Sequence, residues 1–319
     1  MPVFVHDVEM KLRIFVEPQQ GASYDDQLKV AQCAEEEGFD AFFRSDHFLA
    51  MGSAEGSPGP TETWTTLGAI ARETSTIRLG TLVTCATFRL PGPLAITVAQ
   101  VDAMSGGRIE LGLGAGWFDD EHRAYGIPFP PMKERFDRLE EQLKILTGMW
   151  KTPAGQFFDF EGTHYQLTNS PALPKPLQHP HPPIIIGGGG PVRTPQLAAL
   201  FADEFNTPFL QPDDAAQQFA RVDQACERVD RDPASIQHTS ALIVCCGEDE
   251  GAVATRAKAI GWAVEDLKAF GACGTPAQVA ERISQWRDAG ATTAYLQVLD
   301  MSDLDHVRLI GNEVAPLLS

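Results

Sequence analysis

The sequence predicts an α/β protein of the (β/α)8 barrel class, a TIM barrel with insertion segments. Strand-length apolar runs recur near residues 12, 41, 79, 110, 185, 204, 242 and 296, which makes eight. Each is followed by a stretch with helical periodicity or a helix-start signal, and eight such βα units close into a barrel. Polar and glycine-rich residues collect where the strands end, the face on which such barrels keep their chemistry. No internal repeat or linker divides the chain. Residues 11–319 are therefore expected to form one domain, with residues 1–10 as an N-terminal extension and Met10 as an alternative start.

Residues 11–17 read as the first strand, with Leu12, Ile14 and Val16 on one face and Glu17 at the carboxyl end. Glu17 and its neighbours Gln19 and Gln20 serve equally as turn residues or as substrate contacts. Ser23 with Asp26 forms a capping-box pattern, Leu28, Ala31 and Ala34 follow at helical spacing, and Gly38 stops the helix. The second strand, residues 40–44, then delivers Asp46 and His47 into a loop at the catalytic face. A loop rich in Gly, Ser and Pro runs to Pro60, a helix covers 63–74, and the third strand covers 77–83.

After a helix over 93–104 comes Arg108-Ile109-Glu110-Leu111-Gly112-Leu113-Gly114-Ala115-Gly116-Trp117. A dinucleotide GxGxxG would need glycine where Trp117 stands, so this is read as a barrel strand. Its glycines are expected to let a planar cofactor approach the backbone, with Trp117 either closing the pocket or packing in the core. Phe136, Leu139, Leu143 and Leu146 mark an amphipathic helix over 135–150. Residues 157–183 break the rhythm and suggest a covering segment. His164, His179 and His181 lack metal-ligand spacing.

Ile184-Ile185-Ile186 is a buried strand, followed by Gly187 to Gly190, then Arg193, Thr194 and Pro195. Thr194 is expected to cap a helix starting at Pro195. Gly188, Gly189, Gly190 and Arg193 before a helix N-terminus suit a phosphate. A strand at 203–206, a helix over 212–230, a strand at 239–246 and a helix over 249–260 continue the alternation. Residues 261–274 read as a looser segment. Thr275 with Gln278 is a second capping box, Val279, Ile283 and Trp286 form a buried stripe, and residues 293–299 and 304–317 are the last strand and helix.

A formal net charge of −18 argues against non-specific nucleic-acid binding, which needs a basic surface. No apolar run reaches the roughly 20 residues of a membrane helix and no signal core is present, so the expectation is a cytoplasmic protein without a membrane partner. The six cysteines show no CxxC spacing and read as reduced packing residues.

Phe42-Phe43-Arg44-Ser45-Asp46-His47-Phe48, the block from Arg108 through Trp117 and Glu121 to Tyr125-Gly126-Ile127-Pro128-Phe129, and Glu17-Pro18-Gln19-Gln20-Gly21 together resemble the luciferase-like flavin and deazaflavin oxidoreductases. The similarity runs over nearly the whole chain and looks closest to the branch using coenzyme F420. It implies the same barrel, a homodimer, and a hydride-transferring dehydrogenase or reductase acting on a small molecule. It also implies that Asp46 holds the cofactor and that His47 transfers the proton. Val83, Cys85, Ala115 and Gly116 are expected beneath or beside the cofactor, its phosphate near Gly188 to Thr194, and the substrate near Glu17, Trp117 and Glu121. The family commonly has a non-prolyl cis peptide that falls here at Leu82-Val83. In its sugar-phosphate dehydrogenases a proton-abstracting glutamate takes the place of Trp117, so tryptophan there speaks against a sugar-phosphate substrate. The alternatives are an FMN-dependent monooxygenase and a barrel that binds cofactor without catalysis.

Overall fold

The eight strands close on themselves, every neighbouring pair parallel. A computed structural model describes residues 10–52 and 54–318, and the residues assigned to the N-terminal extension lie outside these except Met10, which is buried. The strands are β1 (Lys11–Val16), β2 (Ala41–Arg44), β3 (Arg78–Thr81), β4 (Ile109–Gly114), β5 (Ile184–Gly187), β6 (Glu204–Pro208), β7 (Gln237–Cys246) and β8 (Thr293–Gln297). They pair in that order, and β8 pairs with β1 through Lys11 opposite Thr293.

Helices surround this barrel: α1 (Tyr24–Glu36), α2 (Thr63–Glu73), α3 (Pro91–Ser105), α4 (Asp119–Ala124), α5 (Met132–Lys151), α6 (Arg193–Phe201), α7 (Pro212–Glu227), α8 (Glu250–Ala259), α9 (Val264–Phe270), α10 (Pro276–Asp288) and α11 (Leu304–Leu309). The expected capping boxes are present at α1 and α10. Leucine, isoleucine, valine and alanine side chains from the outer strand faces and the inner helix faces make the main core.

Four expectations are corrected. Residues 261–274 hold α9 and a short strand, Ala272–Gly274, that pairs with the end of β7. The irregular stretch before β5 contains a hairpin, Phe158–Glu161 with Gln166–Ser170, whose turn is fixed by Glu141 accepting from the amides of Thr163, His164 and Tyr165. The last helix is interrupted: a π turn follows α11 over Ile310–Val314. Thr194 is not a cap, because α6 begins at Arg193 and the Thr194 side chain is buried under the glycine loop, close to Gly190.

Inside the barrel, the end opposite the catalytic face is filled by charge. Arg13 donates to Asp40 (2.6 Å), Glu110 (2.8 Å), Glu204 (3.0 Å) and Tyr295 (2.5 Å). Tyr295 and Thr239 in turn donate to Glu204 at 2.6 and 2.9 Å, and Arg78 pairs with Glu110. Burial alone would lower the Arg13 pKa, but Tyr295 and the three carboxylates hold it well above its ordinary value. Packed against this layer is an apolar cluster of Phe15, Ala41, Phe43, Ile185, Ala241 and the Tyr295 ring, with Phe43 edge-on to Tyr295.

Removing one member of a buried ion cluster leaves its partners desolvated and unmatched. Arg13→Ala is therefore expected to cost about 3–5 kcal/mol in urea unfolding. A second prediction concerns pH. His306 is buried and accepts from the amide of Cys246 at 2.9 Å, and burial, reinforced by Arg256, pushes its pKa down to about 4. In the unfolded chain a histidine titrates near 6.5, so on acidification the unfolded state binds the proton first. The His306 contribution is fully present above about pH 6.5 and declines as the pH falls to about 4. His306→Gln, which keeps an acceptor but does not titrate, should flatten that part of the stability profile measured by urea unfolding.

Candidate active site

A cavity of about 450 Å³ opens at the carboxyl ends of the strands. Phe15 and Glu17 follow from β1, His47 from the loop after β2, Leu82, Val83 and Cys85 from the segment after β3, and Gly116, Trp117 and Glu121 from beyond β4. Gly187 and Gly188 end β5, Asn206, Pro208 and Phe209 end β6, and Ala241 lies on β7. Parallel strands share one carboxyl face, which is why residues so distant in sequence meet here.

His47 is fixed by Glu121. The Nδ1 of His47 lies 2.9 Å from Oε1 of Glu121, whose Oε2 accepts the amide of Phe48 at 3.0 Å. A carboxylate can only accept, so Nδ1 carries the proton and Nε2 is the nitrogen left for chemistry. Glu121 is buried and His47 is largely so, and their positions depend on the Asp119–Ala124 helix that follows β4. The ring of Trp117 meets His47 edge-on at 5.7 Å and stacks on Phe118. Trp117 is 66% exposed, so the structure places it at the cavity rim and not in the core. Glu17 shares the cavity. Burial raises its pKa, opposed by His47 and by the side-chain amides of Gln20, Gln19 and Gln297 nearby.

The Leu82–Val83 peptide is cis, as the resemblance implied. Gly112 in β4 and Gly116 just after it are held to glycine by the chain beside them. A Cβ on Gly112 would lie 2.0 Å from the Thr81 carbonyl oxygen, and one on Gly116, whose φ is +81°, would lie 2.5 Å from Cys85 Sγ. These glycines make room for the chain over residues 81–85, and that chain forms the cavity wall.

Behind the wall, Cys85 Sγ is 2.8 Å from Thr87 Oγ1, which is 2.6 Å from His122 Nε2. His122 Nδ1 lies 2.7 Å from the carbonyl of Phe118. A carbonyl only accepts, so for a neutral ring Nδ1–H donates to it, Thr87 donates to Nε2, and the Cys85 thiol donates to Thr87. The thiol proton thus points away from the cavity. Burial pushes the Cys85 pKa up to about 11, with Thr87 opposing, so the group is a neutral thiol.

Several expected contacts sit elsewhere. Asp46 is buried and bound by both guanidinium nitrogens of Arg89, which also pairs with Glu62, and it does not line the cavity. Ala115 packs partly against the main core. Gly189, Gly190 and Thr194 lie outside the lining, one step up the loop from Gly188. Arg193 is held by Asp137 at 2.6 Å and Glu140 at 3.2 Å, above the Phe136 ring, so its charge is already matched. Hydrogen bonds from Lys133 and then Arg193 push the Asp137 pKa down to about 2. Phe15, Asn206, Pro208, Phe209 and Ala241 were not singled out by sequence. The strand alternation around Phe15 and the position of Asn206 at a strand end were the available signals.

Comparison with known proteins gives the family directly. The luciferase-like monooxygenase family model matches residues 10–264. The chain belongs to that family. It is 36% identical over 179 residues to the F420-dependent glucose-6-phosphate dehydrogenase of Nakamurella multipartita, covering 56% of this chain and 50% of that protein. It is 33% identical over 178 residues to the FMNH(2)-dependent dimethylsulfone monooxygenase of Pseudomonas putida, covering 54% of this chain and 46% of that protein. The chain spans about half the length of the curated relatives it matches. In fold it is similar to an F420-dependent secondary alcohol dehydrogenase solved with an F420-acetone adduct, with a TM-score of 0.84 and 20% identity over 98% of this chain and 99% of that one.

Gly116 and Gly189 offer a contrast. Gly116→Ala should lower the melting temperature by several degrees and weaken cofactor binding, because the new methyl meets Cys85 and the backbone has positive φ. Gly189→Ala, whose added methyl meets nothing within 4 Å, should leave the melting temperature unchanged in the same thermal melts.

Proposed function

We propose that this protein is an oxidoreductase using coenzyme F420, moving a hydride between the deazaflavin and a small organic substrate while His47 moves the accompanying proton. The observation that carries this reading is the His47–Glu121 pair at the cavity, which fixes the ring and turns one nitrogen to chemistry. Relatives named as F420-dependent dehydrogenases support the cofactor class.

The cavity suits a flat ring system. Leu82, Val83 and Cys85 form one wall and Gly187 and Gly188 another. Gly188, Gly189 and Gly190 before α6 would hold the phosphate, with Gly188 at φ +140° and open space where a Cβ on Gly189 would stand. Arg193 would join only by exchanging its carboxylate partners for the phosphate. When bound, the deazaflavin supplies a ring carbon that takes up or gives hydride.

For an alcohol, Nε2 of His47 takes the hydroxyl proton as the carbonyl forms, and in the reverse direction His47 returns it. Glu121 keeps the ring oriented and stabilises the imidazolium. Asp46, bound to Arg89, supports the loop carrying His47. Trp117 at the rim covers the substrate.

Titration of the purified protein with F420 and, separately, with FMN tests the cofactor. Tight binding of FMN with none of F420, together with oxygen consumption, would establish the monooxygenase reading instead. With F420 bound, His47→Ala should lower turnover by on the order of 100-fold while cofactor affinity stays within a few-fold. Undiminished turnover would remove His47 from proton transfer.

A further inference from the structure

Phe209 combines two features that ordinary packing does not require. Its φ is +53°, in the left-handed region that a bulky side chain rarely adopts, and the residue is 42% exposed. The surrounding chain enforces this conformation. The Phe209 amide donates to the Ala241 carbonyl (3.0 Å), the fully buried Trp286 donates to the Leu210 carbonyl (2.9 Å), and Arg282 donates to the Gln211 side chain (2.6 Å) while lying over the Trp286 ring. Three consecutive residues are thus pinned, and the outcome is an aromatic ring at the cavity wall, 6.5 Å from the ring of Phe15. Strain held in place by neighbouring structure clusters where a ligand is gripped.

The rest of the cavity says what kind of ligand that is. Its ionisable lining groups, among the described residues, are Glu17, Glu121, His47 and the neutral thiol of Cys85, with no lysine or arginine. Leu82, Val83, Pro208 and the two phenylalanines supply apolar walls, and Asn206 supplies a neutral polar group. A phosphorylated or carboxylated substrate would face two acids without a cation to match it, which is unfavourable at close range.

We propose that Phe209 is the specificity-determining residue for an uncharged substrate with an apolar body, an aromatic or alicyclic secondary alcohol or the corresponding ketone, clasped between Phe209 and Phe15. This rests on the reading of the site as an F420-dependent oxidoreductase for the reacting group, while the clasp rests on the cavity alone. It separates this chain from the relatives named for glucose 6-phosphate.

The test uses the full chain loaded with F420 and two probes, 1-phenylethanol and glucose 6-phosphate, titrated by calorimetry. Wild type should bind 1-phenylethanol at least tenfold more tightly than the sugar phosphate. Phe209→Gly, which accepts positive φ, should lose at least tenfold in affinity for 1-phenylethanol. Its F420 affinity should stay within threefold and its melting temperature should be unchanged or higher. Phe209→Leu, which keeps an apolar side chain, should retain affinity within about threefold of wild type. Tighter binding of glucose 6-phosphate, unchanged 1-phenylethanol affinity in Phe209→Gly, or a fall in melting temperature with F420 binding lost would each overturn the proposal. Failure of the wild type to bind F420 would instead overturn the cofactor reading. The same probes and variants titrated into FMN-loaded protein would then decide the role of Phe209 by the same criteria.

Discussion

A guanidinium inside a barrel has no water to turn to, so the strands around Arg13 must supply its partners. Asp40 before β2, Glu110 on β4, Glu204 on β6 and Tyr295 on β8 do so. The cluster ties together strands that are not neighbours and fixes their register, because a shift of one residue would turn each of these groups to the opposite face. Buried ion clusters seldom add stability compared with apolar packing, but they penalise every arrangement that leaves a charge unmatched. The position of the cavity at the opposite end depends on this register.

From that base the interior changes character along the barrel axis. Phe43 occupies the space left by Gly80, where a Cβ would lie 2.3 Å from its ring, and meets Tyr295 edge-on. Above it, Phe15 belongs both to the inner apolar layer and to the cavity wall. The floor of the cavity is therefore apolar, and Glu17, His47 and Glu121 stand beyond it, past the ends of the strands. Glu17, its pKa raised by burial, and the hydrogen-bonded His47–Glu121 pair lie there.

Two supports hold the chemistry in place from behind. Asp46 is clamped by Arg89, which restrains the loop carrying its neighbour His47. With a neutral His122 ring, the Cys85–Thr87–His122 chain turns the thiol proton away from the cavity. Both depend on residues more than 30 positions apart in sequence and on side-chain geometry at the end of α4 and the start of α3.

Sequence by itself determined the eight strands, the two capping boxes and the polar ends at Glu17, Asp46-His47 and Gly187 to Gly190. These are local signals: apolar periodicity, helix-start chemistry and glycine before a helix. It also determined which residues share a face, because parallel strands of a barrel all point the same way. Tertiary structure alone decided the partners. Glu121 could not be matched to His47, Arg89 to Asp46 or Asp137 to Arg193 from spacing, since each pair is brought together by chain closure and by competition among charges. The glycines of β4 illustrate the same limit. Their need for space is legible in the sequence, but what fills the space, the chain over residues 81–85, depends on how the third and fourth strands lie against each other. Phe209 was silent for the same reason: a positive φ at phenylalanine has no sequence signature, and it exists only because Ala241, Trp286 and Arg282 hold the chain there.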